Sequence, residues 1–202
     1  MKDIKLLSSK KVYSGKISVR MDEFVLEGKR IQKEVVEHSP SVGIIPILPN
    51  NEIFLITQYR RAAGKVLLEI PAGKIENGEN KEQAGKRELL EEIGYSGKFT
   101  FLTQWYLAPG YDTELMYIFL VTNLKKRYHK QCLDDDENIK LKKYSFQTAI
   151  KKCVTGEIVD CKTVAALFLY KEYIELFNKR IRKLNNNQRW FFVNLDNIRW
   201  QI

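Results

Sequence analysis

GKIENGENKEQAGKRELLEEIGY, Gly73 to Tyr95, places Glu79, Glu88, Glu91 and Glu92 in one short span with Arg87 among them. A charge run is most simply a solvated helix face. The spacing argues against that here. Asn80 is a good N-cap and Gly94 a good C-terminal stop, so NKEQAGKRELLEEIG reads as a helix. At about 100° per residue, Glu88, Glu91 and Glu92 fall at i, i+3 and i+4 and crowd one side, with Leu89, Leu90 and Ile93 opposite as a core face. Like charges four apart repel by a few tenths of a kcal/mol. A solvated face would intersperse lysines, whereas Glu88 is followed at i+4 by Glu92. One arginine cannot neutralise these acids. Clustered carboxylates without His or Cys suit a hard divalent cation, Mg²⁺ or Mn²⁺ rather than Zn²⁺. Magnesium keeps several waters and shares its ligands with substrate phosphates, so the stretch reads as a phosphate-handling metal site.

The rest of the chain supplies a fold around this helix. Its 202 residues are 44% hydrophobic and 29% charged, ordinary for a globular protein with a sizeable core. VGIIPILP, the turn NNE and IFLITQYR read as a hairpin of buried strands, and VLLEIPAG as a further strand ending at Pro71 and Gly73. FTFLTQWYLAPG, ELMYIFLVTNL and IKLKKYSF add three more. Two helices follow, one from Ser145 to Thr155 and one from Asp160 to about Leu184. Before Val42, the runs KKVYSGKISVRMDEFVLEG and KRIQKEVVEH form a small antiparallel β unit with little core of its own. Strands and helices do not alternate regularly, which argues for an α+β fold, an α-β-α sandwich on a mixed sheet. The expected division is a β unit over 1–40, a main domain over 41–178, and a basic, aromatic extension over 179–202.

Composition removes several classes of function. The three cysteines, Cys132, Cys153 and Cys161, show no CxxC spacing, and with only His38 and His129 beside them they suggest neither a disulfide framework nor a zinc site. No apolar run approaches the roughly 18 residues of a membrane span. The start, MKDIKLLSSKKVYSG, lacks a secretory pattern, so a cytoplasmic location is expected. The net charge of +9 raises the question of nucleic acid. Its one local excess is the tail, where Lys179, Arg180, Arg182, Lys183, Arg189 and Arg199 stand among Trp190, Phe191, Phe192 and Trp200. Such interleaving suits single strands. Packing of those aromatics on the domain or on a partner subunit is the favoured expectation, with anionic small molecules as the targets of the positive charge.

The acidic stretch has a close counterpart. Gly73, then five residues, Glu79, seven residues, Arg87-Glu88-Leu89, one residue, Glu91-Glu92, one residue and Gly94 resembles the Nudix box of the Nudix hydrolases at every fixed position. Only the final position departs, with Tyr95 where an aliphatic residue is usual. The resemblance implies a loop-helix-loop metal site on an α-β-α sandwich, and hydrolysis of a nucleoside diphosphate linked to another moiety. It makes Glu88, Glu91, Glu92 and the carbonyl of Ala72 metal ligands, with Arg87 and Glu79 as the orienting pair. TQYRRAAG, LEIPAGKIE and LAPGYDTE resemble the ADP-ribose pyrophosphatase branch, as do flanking segments over roughly residues 10–175. The branch's proline beyond the box corresponds to Pro109. By the same likeness Arg60 would contact phosphate or ribose, and Lys33 and Glu34 stand where adenine is recognised, Lys33 replacing a frequent arginine. The acidic loop Asp134 to Glu137 resembles the one that delivers the general base and a further metal ligand. Glu137 matches the ligand, and either Asp135 or Glu137 the base, Asp135 standing where glutamate is common. The implied enzyme is a Mg²⁺-dependent homodimer cleaving ADP-ribose to AMP and ribose 5-phosphate. A nucleotide sugar, NADH or a diadenosine polyphosphate is the alternative substrate.

Overall fold

The computed structural model describes residues 4–15, 17–127 and 139–186, with side chains as far as residue 179. Its centre is a mixed sheet. Strands β4 (Ser41–Leu48), β5 (Glu52–Arg60), β8 (Tyr95–Tyr106), β9 (Leu115–Lys126) and β10 (Lys140–Ser145) lie in the order β10-β5-β4-β9-β8. Two short strands join it, β6 (Lys65–Glu69) on β5 and β7 (Ala72–Lys74) on β4. The β4–β9 pair is parallel and the other pairs are antiparallel.

Period-2 alternation sorts the side chains of this sheet onto two faces. Val42 and Ile44 of β4, Phe54 and Ile56 of β5, and Phe119 and Val121 of β9 pack with Ala84, Leu89 and Ile93 of helix α1 (Lys81–Ile93). Ile45, Ile47, Ile53, Leu55, Ile118 and Leu120 point the other way, onto helices α2 (Phe146–Val154) and α3 (Cys161–Asn186). Each fully buried aliphatic side chain contributes roughly 1.5–3 kcal/mol of transfer free energy. Two layers of helices on one sheet are the expected sandwich.

The small N-terminal unit has three strands rather than two. β1 (Lys5–Ser14), β2 (Ser18–Leu26) and β3 (Lys29–Glu37) form an antiparallel sheet in that order, because the chain turns at Gly15 as well as at Glu27–Gly28. No described residue before Ser41 is buried. Its attachment to the rest is by backbone: Val36 donates to the Tyr111 carbonyl at 2.7 Å and Thr113 donates back to Val36 at 3.1 Å.

VLLEIPAG is likewise two strands and not one. Glu69 pairs with Ile56 of β5, and Ala72 pairs with Gly43 of β4, so Ile70 and Pro71 cross from one neighbour to the other. Proline, which has no N–H to give a ladder, suits the crossing. The basic extension expected from residue 179 begins inside α3, which continues to Asn186. The tail beyond 186 lies outside the described residues.

Candidate functional site

Helix α1 begins as its sequence dictates. Asn80 Oδ1 accepts from the N–H groups of Glu82 and Gln83, and Gln83 returns a bond to Asn80 N, a complete capping box. Gly94 ends the helix at φ 74°, in the left-handed region, donating to Leu90 O. Between these caps Ala84, Gly85, Leu89, Glu92 and Ile93 are buried. Leu90 is not in that set. It is half-buried and lines a surface cavity of about 400 Å³ with Lys86, Tyr95, Phe99 and Arg127. The core arc of α1 is centred nearer Leu89, and it takes in Glu92 where an all-apolar face was expected.

Arg87 sits at the middle of the acidic cluster and uses all five of its N–H donors. Nε and Nη2 grip Glu79 at 2.8 and 3.0 Å, Nη1 reaches Glu88 Oε1 at 2.8 Å and Glu91 Oε2 at 2.9 Å, and Nη2 also donates to Lys74 O at 2.9 Å. The bond to Glu79, followed by the charge of Glu88 and the bonds to Glu91 and Glu88, outweighs burial and holds its guanidinium well above its ordinary value. Glu79 is correspondingly held below the usual carboxylate range, chiefly by that same bond. Glu79 also accepts from Glu76 N at 3.1 Å, so the loop before the helix is tied to the helix through one arginine. Arg87 and Glu79, expected from the sequence to orient the helix and its loop, are thus bonded to each other, and the Lys74 carbonyl joins them.

On the other side of the cluster the acids meet β7. Glu92, 3% exposed, accepts from Ala72 N at 2.9 Å. Glu88 lies so close to Gly73 that a Cβ there would stand 1.8 Å from Glu88 Oε1. Only glycine admits the carboxylate against this backbone. Glu88 Oε1 thus meets both Arg87 Nη1 and the Gly73 backbone, so the carboxylate is held between the arginine and the Ala72–Gly73 strand. Carboxylate and carbonyl oxygens with no His or Cys are the donor set of a hard divalent ion, and the Gly73 cradle brings Glu88 to the strand that carries the Ala72 carbonyl. The residues fit such an ion in chemistry. Among the described residues no three of these acids already converge as a ligand group, and Arg87 Nη1 bonds both Glu88 and Glu91.

The other residues expected at a site are placed as follows. Lys33 and Glu34 are exposed on β3, opposite Asp22 and Met21 of β2. Pro109 is exposed in the turn between β8 and β9, and that turn is the one docked on Val36 at the end of β3, so the structure brings these two segments together. Asp135 and Glu137 lie outside the described residues. Arg60 has a partner the sequence reading did not foresee. Its Nε and Nη2 grip Glu69 at 2.9 and 2.7 Å. Glu69 is fully buried and also accepts from Lys162 Nζ, which in turn meets Asp160 at 3.0 Å. Burial pushes the Glu69 carboxyl upward, but Arg60 and Lys162 outweigh it and hold it below the usual range. The signal available was an acid inside the apolar run VLLEI and a lysine inside the helix start DCKTVAALF.

Comparison with known proteins identifies the family. A model of the NUDIX domain matches residues 37–159. The chain is 32% identical over 175 residues to the ADP-ribose pyrophosphatase of Bacillus subtilis (strain 168), spanning 85% of this chain and 92% of that one. It is 31% identical over 175 residues to the methanol dehydrogenase activator of Bacillus methanolicus, with the same coverage of 85% and 92%. It is 32% identical over 150 residues to the GDP-mannose pyrophosphatase of Escherichia coli (strain K12), covering 66% of this chain and 78% of that one. A crystal structure of an ADP compounds hydrolase superposes with a TM-score of 0.76 at 23% identity, over 87% of this chain and 96% of that one, a likeness of fold. The chain belongs to the Nudix family and is a hydrolase. Nudix hydrolases generally work with a divalent metal ion. No described helix is long and apolar enough to cross a membrane.

Proposed function

We infer that this protein is a Mg²⁺-dependent enzyme that hydrolyses the pyrophosphate of ADP-ribose to AMP and ribose 5-phosphate. The observation that carries the reading is the Gly73 cradle: an acid-bearing helix is pressed against the Ala72–Gly73 backbone at a distance only a missing side chain allows. The ADP-ribose pyrophosphatase relative at 32% identity, matched along most of both chains, supports the substrate. In this reading Glu88, Glu91, Glu92 and the Ala72 carbonyl hold the ion. A bound divalent ion supplies polarisation of the pyrophosphate and a more acidic attacking water. Arg87 and Glu79 keep the acid-bearing helix and its preceding loop in register. Arg60, with Nε and Nη2 fixed by Glu69, presents its Nη1 edge to phosphate or ribose oxygens. Lys33, Glu34 and Pro109 face the nucleoside, and Asp135 or Glu137 takes the proton. Purified protein with Mg²⁺ and ADP-ribose should yield equimolar AMP and ribose 5-phosphate, read by chromatography. No turnover on ADP-ribose or any nucleoside diphosphate sugar would remove the assignment.

The GDP-mannose pyrophosphatase relative favours a second reading, the same chemistry on a nucleotide sugar. A panel of ADP-ribose, GDP-mannose, NADH and diadenosine polyphosphates separates the two by the ratio of kcat/KM.

The functional unit in this reading is a homodimer. Every residue of β1 is exposed, and Leu6, Val12 and Tyr13 on it are more than half exposed, at 58%, 54% and 58%. A second copy covering this strand would remove that apolar surface from water. Sedimentation should report about twice the chain mass, and Leu6→Asp with Val12→Asp should shift it to the monomer. A monomeric wild-type protein at micromolar concentration contradicts this part.

A further inference from the structure

The crossing at Ile70–Pro71 is held from both faces of the sheet by side chains. At such a crossing the backbone leaves one ladder before joining the next, so its donors need other partners. Ile70 N–H donates to Thr163 Oγ1 at 2.9 Å, and Pro71 has no N–H. Ala72 N–H is taken by Glu92 of α1 at 2.9 Å, and the Pro71 carbonyl accepts from Ile44 N at 2.9 Å. Thr163 is itself fixed. It is fully buried in the first turn of α3, and its hydroxyl donates to Asp160 Oδ2 at 2.5 Å, leaving a lone pair aimed at Ile70. Asp160 Oδ2 also accepts from Thr163 N at 3.0 Å, which closes the turn. The same turn carries Lys162, bonded to Glu69 one residue before the crossing.

Resting on the functional reading above, we propose that Thr163, oriented by Asp160, is a positioning residue for the active site. It sets the Ile70–Ala72 backbone from the α3 side so that the Ala72 carbonyl faces the Glu88–Glu92 edge of α1. Thr163 touches neither ion nor substrate and acts through the peptide units of residues 70–72. Its removal therefore weakens metal uptake and the chemical step while leaving alone nucleoside recognition by β3, which makes none of these hydrogen bonds.

The test uses full-length protein and Mn²⁺ as the probe, followed by electron paramagnetic resonance of the free ion, with steady-state kinetics on ADP-ribose alongside. Thr163→Val keeps the side chain's shape and removes the hydroxyl. It should raise the Mn²⁺ dissociation constant about tenfold, the lower end of what supporting residues behind metal ligands are worth. It should lower kcat while changing KM for ADP-ribose less than twofold. Thr163→Ser restores the hydroxyl and should return both values to within about twofold of wild type. Leu167→Ala opens a cavity one turn on in the core that Leu167 shares with Ile70, leaves the Asp160–Thr163–Ile70 hydrogen bonds in place, and serves as the control for a merely structural effect; it should leave Mn²⁺ binding unchanged. If Thr163→Val does not fold, Thr163→Ala carries the same comparison. A wild-type Mn²⁺ constant in the valine or alanine variant overturns the proposal. So does equal weakening in Leu167→Ala, or failure of the serine variant to recover. Wild-type protein that takes up no Mn²⁺ overturns the functional reading itself, and is distinguished from these results by needing no variant.

Discussion

Glu92→Gln is expected to lower kcat by about a thousandfold while leaving the thermal midpoint close to that of the wild type. Glu92 is buried at the end of α1 and accepts from Ala72 N, and a glutamine can keep that bond by turning its carbonyl to the N–H. The fold loses nothing large. Relief of the repulsion between Glu88 and an acid four residues on, a few tenths of a kcal/mol, offsets the lost attraction between Glu92 and the Arg60 guanidinium. What disappears is a formal negative charge at the edge that faces the Ala72–Gly73 strand. If that charge exists to hold a divalent ion, the transition state loses stabilisation of several kcal/mol. At 1.36 kcal/mol per factor of ten, about 4 kcal/mol corresponds to three orders of magnitude. Kinetics with ADP-ribose at saturating Mg²⁺, with a thermal melt of the same preparation, gives both numbers. A variant within tenfold of wild type would mean that Glu92 serves only to tie α1 to β7.

This division between charge and scaffold follows what the sequence made legible. The caps of α1, Asn80 and Gly94, act on neighbours within four residues, so their spacing alone announces them. The acids of the box stand at helical spacing for the same reason, and the pairing of Arg87 with Glu79 followed from the box before their two hydrogen bonds were visible. Long-range partners leave no such trace. Glu69 and Lys162 are 93 residues apart, as are Ile70 and Thr163, and nothing local to either position names the other. The break of VLLEIPAG into two strands depends on which neighbours β4 and β5 offer at that level of the sheet, a tertiary fact that overrides the continuous apolar pattern. Leu90 shows the opposite failure: helical periodicity placed it inward, whereas it is half-buried at the margin of the core and lines the cavity beside Tyr95 and Phe99. The third N-terminal strand was hidden by its own composition, since a strand with every residue exposed carries no burial pattern to read.

The buried charges behind the crossing give the largest expected effect on stability. Glu69, with no exposed surface, receives the Arg60 fork and the Lys162 ammonium, and Lys162 is itself almost fully buried. Removing one partner of a buried pair typically costs 3–5 kcal/mol, because the remaining charge stays uncompensated in a poorly solvated place. Glu69→Gln leaves Lys162 in that position, while Arg60, 39% exposed along its side chain, can turn outward. At pH 7 the variant should lose about 3 kcal/mol, or roughly 10 °C in thermal midpoint for a chain of this size. The deficit should depend on pH in one direction only. The Glu69 carboxyl is held below its ordinary value of 4.5 in the folded protein, so its stabilisation is complete above that value and lost as pH falls through the lower, folded value. Denaturant titrations at pH 7 and at successively lower pH below 4.5 should show the wild type approaching the glutamine variant. Replacing both charges at once, Glu69→Leu with Lys162→Met, should recover part of the loss at pH 7, since neither partner is then left alone. A Glu69→Gln protein as stable as wild type at pH 7, or a double variant less stable than the single one, would show that the ammonium reaches solvent and that this network does not hold the crossing in place.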